Sequence, residues 1–247
     1  MTVPTEAIIL AGGLGQRLRA VVSDVPKPLA PVAGRPFLAW LLEGLAAQGL
    51  RRVVLATGYM AATVRERIGD RFAGLEVRYS EETAPLGTGG ALWSALRLCS
   101  GDRVFALNGD TWLGSDLAIL ADAAPGSDLT LAARPVEDRS RYGGVLAEGD
   151  RFLGLSEKGL AGPGLISAGQ YVLRRDLPGR LALSGAFSFE TEILARPHGL
   201  DLRVHATAAP FIDIGTPDDY ARAQALIPRW AARPGAGAPA DGERVGA

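Results

Sequence analysis

The chain has 247 residues, 47% of them hydrophobic and 21% charged, with a formal net charge of −1. That length allows one large α/β domain or two small ones, with a substantial core. A near-neutral balance excludes bulk attraction to nucleic acid or an anionic membrane, so any anion site has to be built locally.

In chain order, AIIL at 7–10 predicts a buried strand, and PFLAWLLEGLAAQG at 36–49 predicts a helix that stops on glycine. RRVVLAT at 51–57 predicts a second strand, MAATVRERI at 60–68 a helix and LEVRYS at 75–80 a third strand. GGALWSALRL at 89–98 then predicts a helix and RVFALNGD at 103–110 a further strand. Such alternation with short connections implies a mostly parallel sheet covered on both faces. Its ligands bind beyond the carboxyl ends of the strands, where AGGLG and NGD fall. The second half is less regular. DLTLAARP, YGGVLAE, RFLGLSEK and ISAGQYVLRR predict a small antiparallel addition walling the site, followed by a short helix in FSFETEILA. The last helix opens in GTPDDYARAQALI, with Thr216 as N-cap, Pro217 in the first turn, and Asp218 and Asp219 at its positive end. One domain is expected over 1–227. A disordered tail is expected over 228–247, where Ala, Gly and Pro dominate without periodicity.

The opening AIILAGGLGQRLR is followed by VPKPLAPVAGRP. A dinucleotide fold wants G-x-G-x-x-G at its first turn; Gly13 and Gly15 supply the first pair, but Leu18 stands where the third glycine belongs. A P-loop wants a lysine after its last glycine, and none follows. An anion site of another design remains: bare amides near phosphate oxygens, Arg17 able to grip two of them, and Lys27 stiffened in an extended segment by flanking prolines. Taken alone, NGD reads as a turn, Asp213 as a loop carboxylate, and Glu157 with Lys158 as an exposed ion pair.

The motifs LAGGLGQRL…PKPLAPVAGRPFL, PLGTGGAL, LNGD, YGGV, SEK, SAGQYVL and FIDIGTPDDY resemble, in that order, the sugar-1-phosphate nucleotidylyltransferases. RLRAVVSDVPKPLAPV and PLGTGGAL are most similar to the D-glycero-α-D-manno-heptose 1-phosphate guanylyltransferases. Mannose 1-phosphate guanylyltransferases and N-acetylmuramate 1-phosphate uridylyltransferases are close alternatives. The resemblance implies a Rossmann-like three-layer α/β/α nucleotidyltransferase fold. It implies that a nucleoside triphosphate, GTP in the favoured reading, and a sugar 1-phosphate give a nucleoside diphosphate sugar and pyrophosphate, with Mg²⁺ as cofactor.

Catalytic roles are implied for Arg17 on the departing pyrophosphate, Lys27 on the α-phosphate, and Asp110. Leu10, Ala11, Gly12, Gly13, Gly15, Gly87, Thr88 and Gly109 are implied in nucleotide binding together with those two cations. Gly144, Glu157, Lys158 and Gly169 are implied on the sugar phosphate, and Asp110 and Asp213 on the metal. Ser167 stands where many relatives carry asparagine, which leaves the sugar open; Gln16 stands where threonine is usual, with less obvious consequence. The sugar phosphate is already ionised near neutral pH, so positioning and charge stabilisation suffice without a covalent intermediate. His198 and His205, the only histidines, then need no catalytic part.

Two other classes stay open: a non-catalytic sugar-nucleotide sensor on this fold, and a dinucleotide-dependent oxidoreductase. No hexapeptide repeat follows the core, so acetyltransferase activity is not expected. Cys99 is the only cysteine, which excludes an intramolecular disulfide. No basic-then-apolar leader precedes the first strand, and no apolar run approaches the ~18 residues of a membrane span. A cytoplasmic enzyme with two small-molecule partners, neither nucleic acid nor membrane, is expected; homo-oligomerisation is left open.

Overall fold

The computed structural model describes residues 3–13, 18, 21–22, 24–196 and 198–232. Gly15, Arg17 and the stretch 233–247 of the expected tail lie outside the described residues.

Strand β1 (Glu6–Leu10) leads, by way of a single 3₁₀ turn at Lys27–Leu29 and the two-residue strands β2 (Pro31–Val32) and β3 (Arg35–Pro36), into helix α1 (Phe37–Ala47). There follow β4 (Arg52–Thr57), α2 (Ala61–Ile68), β5 (Arg71–Phe72), β6 (Leu75–Glu81), α3 (Gly87–Leu96) and β7 (Arg103–Asn108). Strands β6, β4, β1 and β7 lie side by side and parallel. Both their faces are covered, which is why β1 and β4 read as unbroken apolar runs. The register sets Leu10 beside Ala56 and Asn108, so the carboxyl ends share one edge.

The second half adds β8 (Thr111–Leu113), α4 (Leu117–Ala123), β9 (Leu129–Val136), β10 (Gly144–Glu148), β11 (Arg151–Leu155) and β12 (Gly164–Arg174). It ends with α5 (Leu177–Arg180), one wide π turn at Glu190–Leu194, β13 (Leu202–Ala206), β14 (Phe211–Asp213) and α6 (Pro217–Ala231). The expected α/β class is what the chain adopts. Its antiparallel part is continuous with the parallel strands rather than set beside them. β12 pairs with β7, and the sheet continues through β9, β13, β11 and β10 to ten strands. β10 also pairs with the start of β12, so these five strands close on one another. Gln170 of β12 pairs with Leu107, so residues 164–169 overhang the end of β7 and stand above the edge where ligands bind.

One apolar cluster packs α1 and α6 on one face of the sheet, around Phe37, Leu38, Leu42 and Ile227. A second packs α3 on the other, around Leu92, Leu96 and Phe189. The boundary expected at residue 227 falls inside α6, which continues through Pro228 to Ala231. A mid-helix proline removes one backbone hydrogen bond. Packing offsets that loss, because half-buried Trp230, two residues on, stacks against Trp112 at 5.4 Å between ring centroids. Among the described residues no helix is long and apolar enough to cross a membrane.

At the opposite edge of the sheet, buried Glu6 ties β1 to the turn before β7. It accepts hydrogen bonds from Arg52 (2.6 Å), the Ser100 hydroxyl (3.1 Å) and the amides of Ser100 (2.8 Å) and Gly101 (2.6 Å). Burial pushes its pKa up, but the bonds from Gly101, Ser100 and Arg52 outweigh it and hold the carboxyl below its usual range. A depressed folded pKa contributes stability that is present above the unfolded value and lost as pH falls through the folded one. Glu6→Ala is expected to cost about 2–4 kcal/mol near neutral pH, since two amides and a guanidinium lose their acceptor. Urea titrations from pH 7 to 3 should show the gap between variant and wild type closing in the acid range. A gap that stays constant would rule out this linkage.

Candidate active site

Three residues distant in sequence converge at the carboxyl edge. Pro26 is extended, as the PKP reading expects, but Lys27 then opens the 3₁₀ turn instead of continuing the extended run. Buried Pro28 and Leu29 anchor that turn and aim the lysine inward. Asp110 sits in the turn joining β7 to β8. Asp213 ends β14, which pairs antiparallel with β8 so that Asp213 lies opposite Thr111. The two-stranded ribbon therefore sets the two carboxylates side by side. Lys27 Nζ is 2.5 Å from Asp110 Oδ2 and 3.6 Å from Asp213 Oδ1, and its side chain is only 11% exposed. Thr111 Oγ1 donates to Asp110 Oδ1 (3.1 Å) and the Gly215 amide to Asp213 Oδ1 (2.6 Å), which fixes both acids.

Both carboxylates thus reach one cation position. Among the described residues no group of three or more His, Cys, Asp or Glu could hold a metal. Two carboxylates are nonetheless the usual protein share of a Mg²⁺ shell, which phosphates and water complete. The donor chemistry fits that ion.

Beside the triad lies a cavity of about 600 Å³. Of the residues implied at the nucleotide, Leu10, Ala11, Gly12, Gly13 and Lys27 line one side. Gly87, Thr88, Gly109 and Asp110 line it as well. Gly109 is there because the chain comes very close: its amide donates to Leu10 O at 3.0 Å, and a Cβ would lie 2.5 Å from that oxygen. The wall over the site is tied down by Arg141, which donates to buried Asp219 Oδ2 at 2.5 Å, near the start of α6. Burial raises the Asp219 pKa, but the bonds from Arg141 and Thr216 outweigh it and keep the carboxyl low.

A family model, "Nucleotidyl transferase", matches residues 6–229. The chain belongs to the nucleotidyl transferase family. It is 41% identical to a D-glycero-alpha-D-manno-heptose 1-phosphate guanylyltransferase from Aneurinibacillus thermoaerophilus, over 89% of this chain and 96% of that protein. A mannose-1-phosphate guanylyltransferase of Mycobacterium tuberculosis is 36% identical over 91% of this chain but 65% of its own length. Among solved structures, HddC from Yersinia pseudotuberculosis superposes with a TM-score of 0.82 at 34% identity, covering 89% of this chain and 98% of that one. A second structure of that protein, complexed with GMP-PN, gives 0.81. The chain is accordingly an enzyme of the nucleotidyltransferase class.

In this nucleotidyl transferase the residues implied at the sugar phosphate stand outside the cavity lining. Gly169 has φ +70°, and a Cβ there would lie 2.9 Å from Asn108 Nδ2, so it seats the overhanging part of β12 on the end of β7. Glu157 and Lys158 are exposed, in the bend after β11. Gly159, next in the chain, has φ +91°. Gly144 lies over Ser156 and Arg139.

The cavity-lining side chains that the sequence did not imply include Glu82, Tyr171, Phe189 and Glu190. Glu82 follows β6 at the ligand edge, and that position was its one signal. Its Oε2 accepts from the Leu86 amide at 2.9 Å, and its Oε1 lies against Gly12. Tyr171 is fully buried; burial lifts its pKa to about 12, and its hydroxyl pairs with Ser167 at 3.0 Å.

Proposed function

We propose that this enzyme transfers GMP from GTP to D-glycero-α-D-manno-heptose 1-phosphate, giving GDP-heptose and pyrophosphate, in the cytoplasm. The observation that carries it is the Lys27–Asp110–Asp213 cluster at the mouth of a glycine-lined cavity. The choice of base and sugar leans on relatives named for that activity that align along nearly their whole length.

A sugar phosphate oxygen forms its bond to the α-phosphorus as the bond to the bridging oxygen of pyrophosphate breaks on the opposite side. No proton need move at the nucleophile. Both reactants are anions, so catalysis consists of alignment and charge stabilisation. Lys27 moves its charge onto the α-phosphate as negative charge builds there. The amides of Gly12, Gly13 and Gly15 hold phosphate oxygens, and Arg17 grips the departing pyrophosphate. Asp110 and Asp213 hold Mg²⁺, which when bound offsets the repulsion between the two phosphates. Lys158 and Glu157 take the phosphate and a hydroxyl of the sugar, with backbone at Gly144 and Gly169 beside the ring.

The test is pyrophosphate release from four nucleoside triphosphates set against heptose, mannose, glucose and N-acetylmuramate 1-phosphates, with Mg²⁺ and with chelator. The expected result is a metal-dependent maximum with GTP and the heptose. A maximum elsewhere moves the substrate, and silence from folded protein that binds nucleotide favours a sensor.

A further inference from the structure

The glycine-rich start of α3 has a neighbour that its sequence does not announce. The segment 185–190, about a hundred residues downstream, lies across it as a strap. The Phe187 amide donates to Leu86 O (2.9 Å), the Gly89 amide to Phe187 O (3.0 Å), and the Phe189 amide to Thr88 Oγ1 (2.9 Å). A Cβ at Gly87 would lie 2.5 Å from Phe187 O, and one at Gly90 would lie 2.4 Å from Gly185 O. At Gly89 it would enter the Phe187 ring, which meets Trp93 edge to face at 5.5 Å. The strap is thus keyed into α3 by backbone contacts that no side chain could share.

What the strap delivers is Phe189 and Glu190. Phe189 is buried and packs edge to face on Tyr171, with ring centroids 5.3 Å apart. That fixes the first residue of the π turn, where Glu190 reaches the cavity wall. Glu190 is an exposed residue at the cavity wall, and among the described residues its carboxylate has no hydrogen-bond or ion-pair partner. A carboxylate is an acceptor only, and it repels a triphosphate. In a cavity that receives phosphates, such a group is tolerable where the ligand offers hydroxyl donors and no charge. Two carboxylate oxygens match two neighbouring hydroxyls.

We propose that Glu190 is a substrate-binding residue that accepts hydrogen bonds from vicinal hydroxyls of a sugar ring, and that Gly87, Gly89 and Gly90 hold the strap that presents it. This rests on the nucleotidyl transfer reading above. The hydroxyls belong either to the ribose of GTP or to the heptose, and the assay separates these sources.

Steady-state kinetics of the full chain would be run for wild type, Glu190→Ala and Glu190→Gln, with each substrate varied in turn. Glu190→Ala is expected to raise KM for one substrate about 10- to 100-fold, the range for hydrogen bonds to a charged group. Glu190→Gln, which keeps one acceptor oxygen, should lose less. If the ribose is the ligand, the affected substrate is GTP, and discrimination against 2′-deoxy- or 3′-deoxy-GTP collapses in Glu190→Ala. If the heptose is the ligand, the sugar phosphate is affected and deoxy discrimination stays. Gly90→Ala, at a helical position where alanine ordinarily helps, should raise KM for the same substrate in a protein whose circular dichroism is unchanged. Both KM values within about twofold of wild type in Glu190→Ala would overturn the inference. So would a Gly90→Ala effect on the other substrate alone. Wild-type silence with GTP and heptose 1-phosphate would instead overturn the reaction it rests on.

Discussion

Lys27→Ala is expected to lower kcat for pyrophosphate release about 100- to 1000-fold, with a much smaller change in KM for GTP. The lysine is 11% exposed and rests on two carboxylates that are themselves fixed by neighbouring donors. It is therefore organised before substrate arrives, and in the proposed reaction its charge gains most when charge accumulates on the α-phosphate. An interaction made mainly in the transition state lowers kcat and kcat/KM together. Lys27 and Asp110 act as one unit at 2.5 Å, so Lys27→Ala with Asp110→Asn should cost little more than the worse single change. The triad also predicts a metal effect of definite sign. Lys27 places a positive charge at the point the two acids share, so its removal should lower the Mg²⁺ concentration needed for half-maximal rate. Quench-flow measurement of both variants across a Mg²⁺ series checks these results. A kcat within tenfold of wild type in Lys27→Ala would exclude the role.

The parallel half of the fold was legible because its signals are local. β1, β4 and β7 are apolar runs of strand length and α1, α2 and β6 carry a readable period, and the rule about carboxyl ends then pointed to the edge where the cavity lies. The ribbon β8 with β14 was not legible, since three-residue strands have no period, yet it is what brings Asp213 to Asp110. β13 was passed over although Leu202 and Val204 alternate with Arg203 and His205 at the period of a strand. The glycines of GTGG were legible as unusual. Their contact was not, because the strap that fills the space comes from far along the chain. Phe189 and Glu190 were hidden with it. Trp230 beyond Pro228 was set aside on composition, which says nothing of the Trp112 ring it meets.

Glu82→Gln is expected to change which nucleotide the enzyme prefers. Guanine differs from the other common bases in presenting two adjacent donors, N1–H and N2–H₂, along one edge. A partner for that edge has to be an acceptor at both points, which a carboxylate is and a carboxamide is not. In this cavity Glu82 is a carboxylate held in place before binding, with Oε2 on the Leu86 amide and Oε1 facing the space beside Gly12. It lines the cavity together with Tyr59, Thr83 and Pro85. Glutamine would keep its oxygen on the Leu86 amide and turn its NH₂ toward the base. The N–H groups of guanine would then meet a donor, whereas the O4 of uracil would meet a partner. One charged hydrogen bond lost and one donor left facing another should cut kcat/KM for GTP by about 100-fold. The ratio of GTP to UTP should fall by at least as much, because UTP gains while GTP loses. Pyrophosphate release with all four triphosphates, at fixed heptose 1-phosphate, reads both terms. A variant that slows on every nucleotide alike would place Glu82 among the residues that shape the loop. One that keeps its full preference for GTP would show that the base is read elsewhere, by backbone or by Thr88.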